Sequence, residues 1–402
     1  MRVVIAPDKF AGTMTALEAA SAISVGWRSA APSDDLILAP MSDGGPGFLD
    51  TVAAVFDGLT TTTVEDAIGR DVPAGWLFTQ VGGTRIAVLE SAQACGIARL
   101  SPGEFDVGGA SSYGVGQLIS VALSSGAKRI LVGLGGTASN DGGAGMAQAL
   151  GVRLLDSDGN ELPRGGAALE RLASVDRSGL DQRLEGVDVI AVADVDNPLT
   201  GDHGASIVFG SQKGADAETA QRLDAALAHY ASMVAPELAA APGGGAAGGL
   251  GFGLMAFAGA TMQRGLTLVA GILGIPGKVA EADLVITGEG RFDEQSLHGK
   301  VPGGIAEFAA AAGVPCVVLA GDVTLDEART KESGIARAYA LTPLAGGVAE
   351  AFAQPVYWLE KLAAQVAREW SSNGLPEDGA EPVAERAAEA AAANEKSATP
   401  EA

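Results

Sequence analysis

Histidine and cysteine are scarce in this chain of 402 residues, which has three of the first and two of the second. Cys95 and Cys316 lie far apart and outside any CxxC, which argues against both a disulfide framework and a thiolate zinc site. The histidines are isolated and no HExxH occurs, so a zinc hydrolase is not supported. There is no GxSxG elbow, and Ser296 stands too close to His298 in sequence to define a triad. GxxxxGK[ST] is also missing, which excludes a P-loop NTPase. Basic residues are few: 26 against 49 acidic ones, a formal charge of -23. Such a field repels a phosphate backbone or an anionic membrane surface, so neither nucleic acid nor membrane is an expected partner. With so little cysteine a reducing compartment, the cytoplasm, is the default, and a homo-oligomer is compatible with the composition.

What the chain does have is 47% hydrophobic residues, enough for sizeable cores, and a length that predicts two to three domains. Its first residues, from Met1 to Asp8, read as a buried strand and carry no export signal. Leu238 to Gln263 is uncharged for 26 residues but contains Pro242 and eight glycines. That composition predicts a glycine-rich loop followed by a buried helix from about Leu250, with no membrane span.

Continuous Val/Ile/Leu runs at 2–6, 35–40, 283–287, 315–320 and 336–341 predict the strands of a parallel sheet covered by helices on both faces. Ala16 to Ala30, after Thr15 as cap, places Leu17, Ala20, Ile23, Ser24 and Trp27 near helical spacing and completes a β-α-β unit. Between the second and third of these strands, Leu59–Glu65, Gly75–Gln80 and Thr84–Glu90 follow in quick succession, as antiparallel strands do. Runs at Arg129–Leu134 and Val187–Ala193 then alternate with helices. The expected fold is α/β: a flavodoxin-like doubly wound parallel-sheet domain over 1–45 and 276–372, interrupted by a second, mixed α/β domain over 46–275. The remainder, 373–402, holds ten alanines and seven acids and reads as a disordered acidic tail.

Three features carry chemistry. First, Gly133-Leu134-Gly135-Gly136-Thr137-Ala138-Ser139-Asn140-Asp141-Gly142-Gly143-Ala144-Gly145 follows a strand and opens a helix, which suits an anion such as phosphate, or merely a tight turn. Part of it mimics a dinucleotide fingerprint with Asp156 downstream, but Asp156 to Asn160 reads as a hairpin turn. Second, Asp8, Asp43, Asp194, Glu289 and Asp322 fall just past predicted strands, the edge where open parallel sheets bind ligands. Such carboxylates hold Mg²⁺ or accept a proton, or else cap helices. Third, Thr287 to Lys300 packs acids, bases and glycines into one expected loop. There Arg291 can fork onto a carboxylate or phosphate, and Lys300 precedes a helix.

Together these strings resemble the bacterial type 1 glycerate kinase family. The matching segments, in family order, are APDKFAGT from Ala6, PMSDGG from Pro40, SSYGVGQLI from Ser111, GLGGTASNDGGAG from Gly133, ADVDNPLTGDHGASIVFGSQKGA from Ala193, GGGAAGGLGFGLMAF from Gly243 and DLVITGEGRFDEQSLHGK from Asp283. The resemblance runs from Met1 to about Trp370. It implies ATP- and Mg²⁺-dependent phosphorylation of D-glycerate, 2-phosphoglycerate as the usual product of the family, and a cleft between two domains. Alternatives are the 3-phosphate as product, another small hydroxy acid as substrate, or a metabolite-binding regulator without turnover.

Carried over residue by residue, the resemblance makes Asp194 the candidate base, Asp293 the runner-up, and Asp43 and Glu289 candidate Mg²⁺ ligands. Gly135, Gly136, Thr137, Asn140, Asp141 and Lys213 would line the nucleotide pocket. Arg70, Arg291 and Lys300 would meet the glycerate carboxylate and the transferred phosphoryl group, and Asp8, Lys9, Asn197 and Ser296 would join Arg70 in binding the glycerate. Departures from the family strings fall at Lys9 and Ala11 (APDSFKGS), Pro46 and Phe48 (DGGEGT) and Gln117 (GELI).

Overall fold

The computed structural model describes residues 1–10, 12–297 and 300–372. Ala11, His298 and the expected tail lie outside them. The strands, in chain order, are β1 (Arg2–Ile5), β2 (Asp35–Leu38), β3 (Leu59–Glu65), β4 (Asp71–Val81), β5 (Thr84–Glu90), β6 (Arg129–Gly133), β7 (Arg153–Leu155), β8 (Ser174–Asp176), β9 (Asp188–Val192), β10 (Thr261–Gln263), β11 (Leu284–Phe292), β12 (Cys316–Val323) and β13 (Arg337–Ala340). They divide between two compact units, one formed by residues 1–43 with the described chain from 266 to 372, the other by residues 44–265.

The first unit carries a five-stranded parallel sheet in the order β13-β12-β11-β1-β2. Numbered within the sheet this is 2-1-3-4-5, the flavodoxin-like doubly wound order, with its switch point between β1 and β11. All five strands were legible as apolar runs because helices cover both faces. The helix Ala16–Ala30 starts at a full capping box: Thr15 Oγ1 accepts from Glu18 N while Glu18 accepts from Thr15 N. Its buried stripe includes Ala16, Ala20, Ile23 and Trp27, whereas Leu17 is exposed, contrary to expectation. Gly26 lets the helix Pro355–Trp370 cross closely, since a Cβ there would lie 2.1 Å from Glu360 O. Buried Asp34 ties this packing together, accepting from Trp27 Nε1 (2.9 Å), Ser371 Oγ (2.6 Å) and the terminal amine of Met1 (2.8 Å).

One correction bears on the site. The segment from Thr287, expected as a loop, stays in β11 as far as Phe292, paired with β12 through Glu289↔Ala320 and Arg291↔Asp322. Its glycines do not break the strand; they permit close approach. A Cβ on Gly288 would lie 2.2 Å from Leu319 O, and one on Gly321 would lie 2.4 Å from Gly290 O. Asp322 accordingly lies within β12 rather than beyond it.

The second unit holds a six-stranded sheet ordered β10-β9-β6-β5-β4-β3, antiparallel from β3 to β5 and parallel from β5 to β10, and a β7-β8 ribbon. The quick succession of strands in the sequence is this antiparallel run. In Ala246–Ala258, Ala247, Gly248 and Gly249 have left-handed backbone angles, so the regular helix begins at Leu250. Among the described residues no helix is long and apolar enough to cross a membrane.

Candidate functional site

In the second unit the glycine-rich segment after β6 turns its polar side chains inward. Asn140 and Asp141 are fully buried and Thr137 nearly so. The Asp141 carboxylate accepts from Ser112 N (2.8 Å), Ser112 Oγ (2.9 Å), Gly143 N (3.1 Å) and Gly145 N (3.1 Å). The anion seated at the start of the helix Ala144–Ala149 is thus the protein's own carboxylate, and burial pushes its pKa up against these donors. Other main-chain groups of the segment are tied down too: Ile97 N donates to Gly136 O and Ala138 N to Cys95 O, each at 2.8 Å. Lys213 is buried and donates to Ser139 O at 2.6 Å, and desolvation lowers its pKa to about 8. Asn140 Nδ2 donates to Ser206 Oγ at 2.8 Å. Of the expected nucleotide-pocket side chains, Asp141, Lys213 and the Asn140 amide nitrogen therefore form an internal brace, while Thr137 Oγ1 and Asn140 Oδ1 are buried without a hydrogen-bond partner among the described residues. Gly135 and Gly136 alone of that group reach the surface, packed near Pro46. The burial of Cys95 and Cys316 raises both thiols to about 12, so neither is a ready nucleophile.

The dinucleotide mimic also resolves. Asp156 Oδ1 accepts from Asp158 N and Asn160 N, each at 2.9 Å, in an exposed turn as the spacing suggested. Arg70 is exposed and engaged with Asp66 (2.6 Å) and Glu104 (2.7 Å). Asp194 sits two residues past β9, half-buried, and Asn197 Nδ2 donates to His203 O at 2.8 Å. Two departures from the family strings have structural uses: Phe48 is a fully buried core residue beside Gly133, and Gln117 Oε1 accepts from Glu65 N at 2.7 Å. An amide oxygen does that as well as a carboxylate.

In the first unit, four of the five strand-end carboxylates share one sheet edge: Asp8, Asp43, Glu289 and Asp322 line a cavity of about 560 Å³. Lys9, Arg291, Asp293 and Lys300 line it as well. It opens at the carboxyl ends of β1 and β11, the switch point where doubly wound sheets bind ligands. β1 delivers Asp8, whose backbone N–H still bonds Gly288 O at 2.8 Å. Lys9 Nζ reaches Asp43 Oδ1 at 3.1 Å and Asp8 Oδ1 at 3.8 Å.

Burial raises Asp8 to about 6, with Asp43 pushing the same way and Lys9 pulling back. Burial likewise raises Glu289 to about 7; Ser296 and Lys300 oppose the shift, while Asp8 and Asp293 add to it. Glu289 Oε1 is buried with no hydrogen-bond partner among the described residues. Ser296 is fully buried, and its hydroxyl accepts from Asp293 N at 2.9 Å, so it shapes the turn after β11. Lys300 caps the helix Val301–Ala312, and Arg291 is exposed with Nε 3.7 Å from Asp293 Oδ2.

Among the described residues no three His, Cys, Asp or Glu side chains form a ready-made metal cage. The donor set is nonetheless hard oxygen, and Mg²⁺ is ordinarily held by one or two carboxylates plus waters and substrate phosphates. The orphaned Glu289 oxygen, in a cavity that Asp43 also lines, fits that pattern. The other half of the cavity is apolar and was not foreseen: Phe10, Met14, Leu341, Val348, Phe352 and Pro355. The only local signal was the apolar i, i+4 pair Val348 and Phe352 on a short helix.

Comparison with known proteins agrees with this architecture. Residues 3–371 match the model of the glycerate kinase family. The chain is 41% identical over 372 residues to the glycerate kinase of Bacillus subtilis (strain 168), covering 91% of this chain and 97% of that one. It is 41% identical over 357 residues to the glycerate 2-kinase of Escherichia coli (strain K12), covering 88% and 93%. A crystal structure described as a glycerate kinase 2 from Salmonella typhimurium LT2 superposes with a TM-score of 0.76 at 41% identity, over 91% of this chain and 97% of that one.

Proposed function

Since this chain belongs to the glycerate kinase family and is a kinase, we propose that it transfers the γ-phosphoryl group of ATP to the 2-hydroxyl of D-glycerate, giving 2-phosphoglycerate. The observation that carries the reading is the charged half of the cavity at the β1/β11 switch point, where carboxylates and cations converge. Phosphoryl transfer asks for little covalent chemistry from a protein; positioning and charge neutralisation supply most of the rate.

Lys300, at the start of a 12-residue helix, and Arg291 hold phosphoryl oxygens, the lysine reinforced by the positive end of the helix. Asp43 and Glu289 hold Mg²⁺, which when bound neutralises charge on the phosphate oxygens. Glu289 then carries its charge against a cation instead of against apolar surroundings. Lys9, bridging Asp8 and Asp43, keeps two carboxylates close without a net repulsive pair and offers a point cation for the glycerate carboxylate. Asp293, half-buried at the cavity wall beside Arg291, takes the proton of the glycerate hydroxyl. Asp194, past β9 of the second unit, is the competing candidate for that role.

A coupled assay of ADP release with D-glycerate, tartronate and erythronate tests the reading, with phosphorus NMR of the product. Turnover fastest with D-glycerate and a 2-phosphate product are expected. A 3-phosphate product would correct the regiochemistry, preference for another acid would correct the substrate, and ATP binding without ADP formation would make the chain a regulator.

A further inference from the structure

We propose that the apolar half of this cavity holds the nucleoside, the purine base foremost, of the phosphoryl donor; the inference rests on the proposed kinase reaction and names where in the chain its donor sits. The cavity is divided by its chemistry. Its lining includes charged side chains, Asp8, Lys9, Asp43, Glu289 and Lys300 among them, and an apolar set drawn from the chain after β1 (Phe10, Met14) and from the segment after β13 (Leu341, Val348, Phe352, Pro355). The lining also includes Gly290 and Gly321, neighbours on the paired strands β11 and β12. Gly321 cannot carry a side chain without meeting Gly290 O, so this part of the lining stays bare backbone.

Glycerate bears an oxygen on each of its three carbons and would leave the apolar wall uncovered. A nucleoside triphosphate matches both halves, because its phosphates need cations and its base is a flat, weakly hydrated surface. The volume agrees: about 560 Å³ falls within the range of roughly 300–1,000 Å³ for sites that enclose drug-sized ligands. The wall also has the required inequality of burial. Phe10 and Leu341 are 2% exposed and fixed in the core, while Val348 and Phe352 are 58% and 59% exposed on the same face of the helix Val348–Ala353. Isolated exposed apolar side chains need no explanation, but two that line one cavity together with buried aromatic and aliphatic surface offer an apolar wall to a ligand. Thr342 Oγ1 donates to Gly321 O at 2.8 Å and anchors the start of that wall to the strand ends. The brace found in the glycine-rich segment after β6 agrees, since its two charged side chains expected to meet a nucleotide, Asp141 and Lys213, are buried and engaged internally.

The test is isothermal titration of ADP and of inorganic tripolyphosphate into the full-length wild type, Phe352→Ala and the double variant Val348→Ala/Phe352→Ala, with KM values for ATP and D-glycerate. Both positions are largely exposed, so truncation should leave the fold intact, which thermal melting checks. The expected result is a loss of ADP affinity of at least ~5-fold in Phe352→Ala and more in the double variant, the scale of losing one base–aromatic contact. KM for ATP should rise in step, while tripolyphosphate affinity and KM for glycerate stay within about twofold. ADP affinity left unchanged, or tripolyphosphate weakened equally, overturns the inference. Titration requires no turnover: a wild type that forms no ADP but binds it through Phe352 loses the proposed reaction and keeps the nucleoside slot.

Discussion

Gly248→Ala tests how the glycine-rich segment is held. Gly248 sits at φ +69°, and a Cβ there would lie 2.0 Å from Ser139 O and 2.9 Å from both Asn140 Cα and Lys213 Nζ. Two costs combine. A left-handed backbone costs a non-glycine residue about 1–2 kcal/mol, and overpacking against backbone that cannot rotate away costs a further ~1–3 kcal/mol. The carbonyl in the way is the one that accepts from Lys213, so retreat would also strand a buried ammonium. The expected loss is about 3–4 kcal/mol, or a fall of roughly 10 °C in the melting temperature of a unit this size. Gly259→Ala is the control: its φ is +60°, but nothing lies within 4 Å of its Cβ position, so only the backbone cost applies. Thermal melts of both variants measured together decide it. Equal destabilisation would refute the claim that contact with Ser139 and Asn140, rather than backbone angle alone, requires glycine at 248.

Glu289→Gln should stabilise the protein at alkaline pH. The folded-state pKa is raised from 4.5 to about 7, so the wild type loses stability as pH climbs through that window, by about 3 kcal/mol at most, and stays flat above it. The glutamine variant lacks that loss; melting curves at pH 4 and pH 8 without Mg²⁺ should show a gap only at pH 8, and a pH-independent gap would refute the burial argument. Asp43→Asn should raise the Mg²⁺ concentration needed for half-maximal rate by ~10-fold or more, read from initial rates, and an unchanged Mg²⁺ requirement removes Asp43 from the metal site. Asp293→Asn should lower kcat by at least ~100-fold with KM for ATP little changed. If Asp194→Asn shows that loss and Asp293→Asn does not, the base belongs to the second unit.

The α/β class, the parallel strands, the Thr15 cap and the helix start at Leu250 were all legible in the chain because each depends on neighbours within a few residues. Apolar runs report burial on both faces, a capping box spans three residues, and glycines mark where a helix cannot begin. The continuation of β11 through Gly288 and Gly290 was hidden, because glycine reads locally as a break and only the β12 ladder overrides it. The candidate site divided in the same way. Five carboxylates were expected just past strands, and sequence alone could not tell that Asp8, Asp43, Glu289 and Asp322 line one cavity of the first sheet while Asp194 follows a strand of another sheet.

Which residue types stand near strand ends and which segments are apolar could be read from the chain, since these are properties of short stretches. Only the folded arrangement sets which of them face solvent. It turned Asn140, Asp141 and Lys213 inward as a brace and gathered residues from 341 to 355 with Phe10 into the lining of one cavity. The reason is that strand order and burial arise from contacts between residues hundreds of positions apart, as in the pairing of Val4 with Val285.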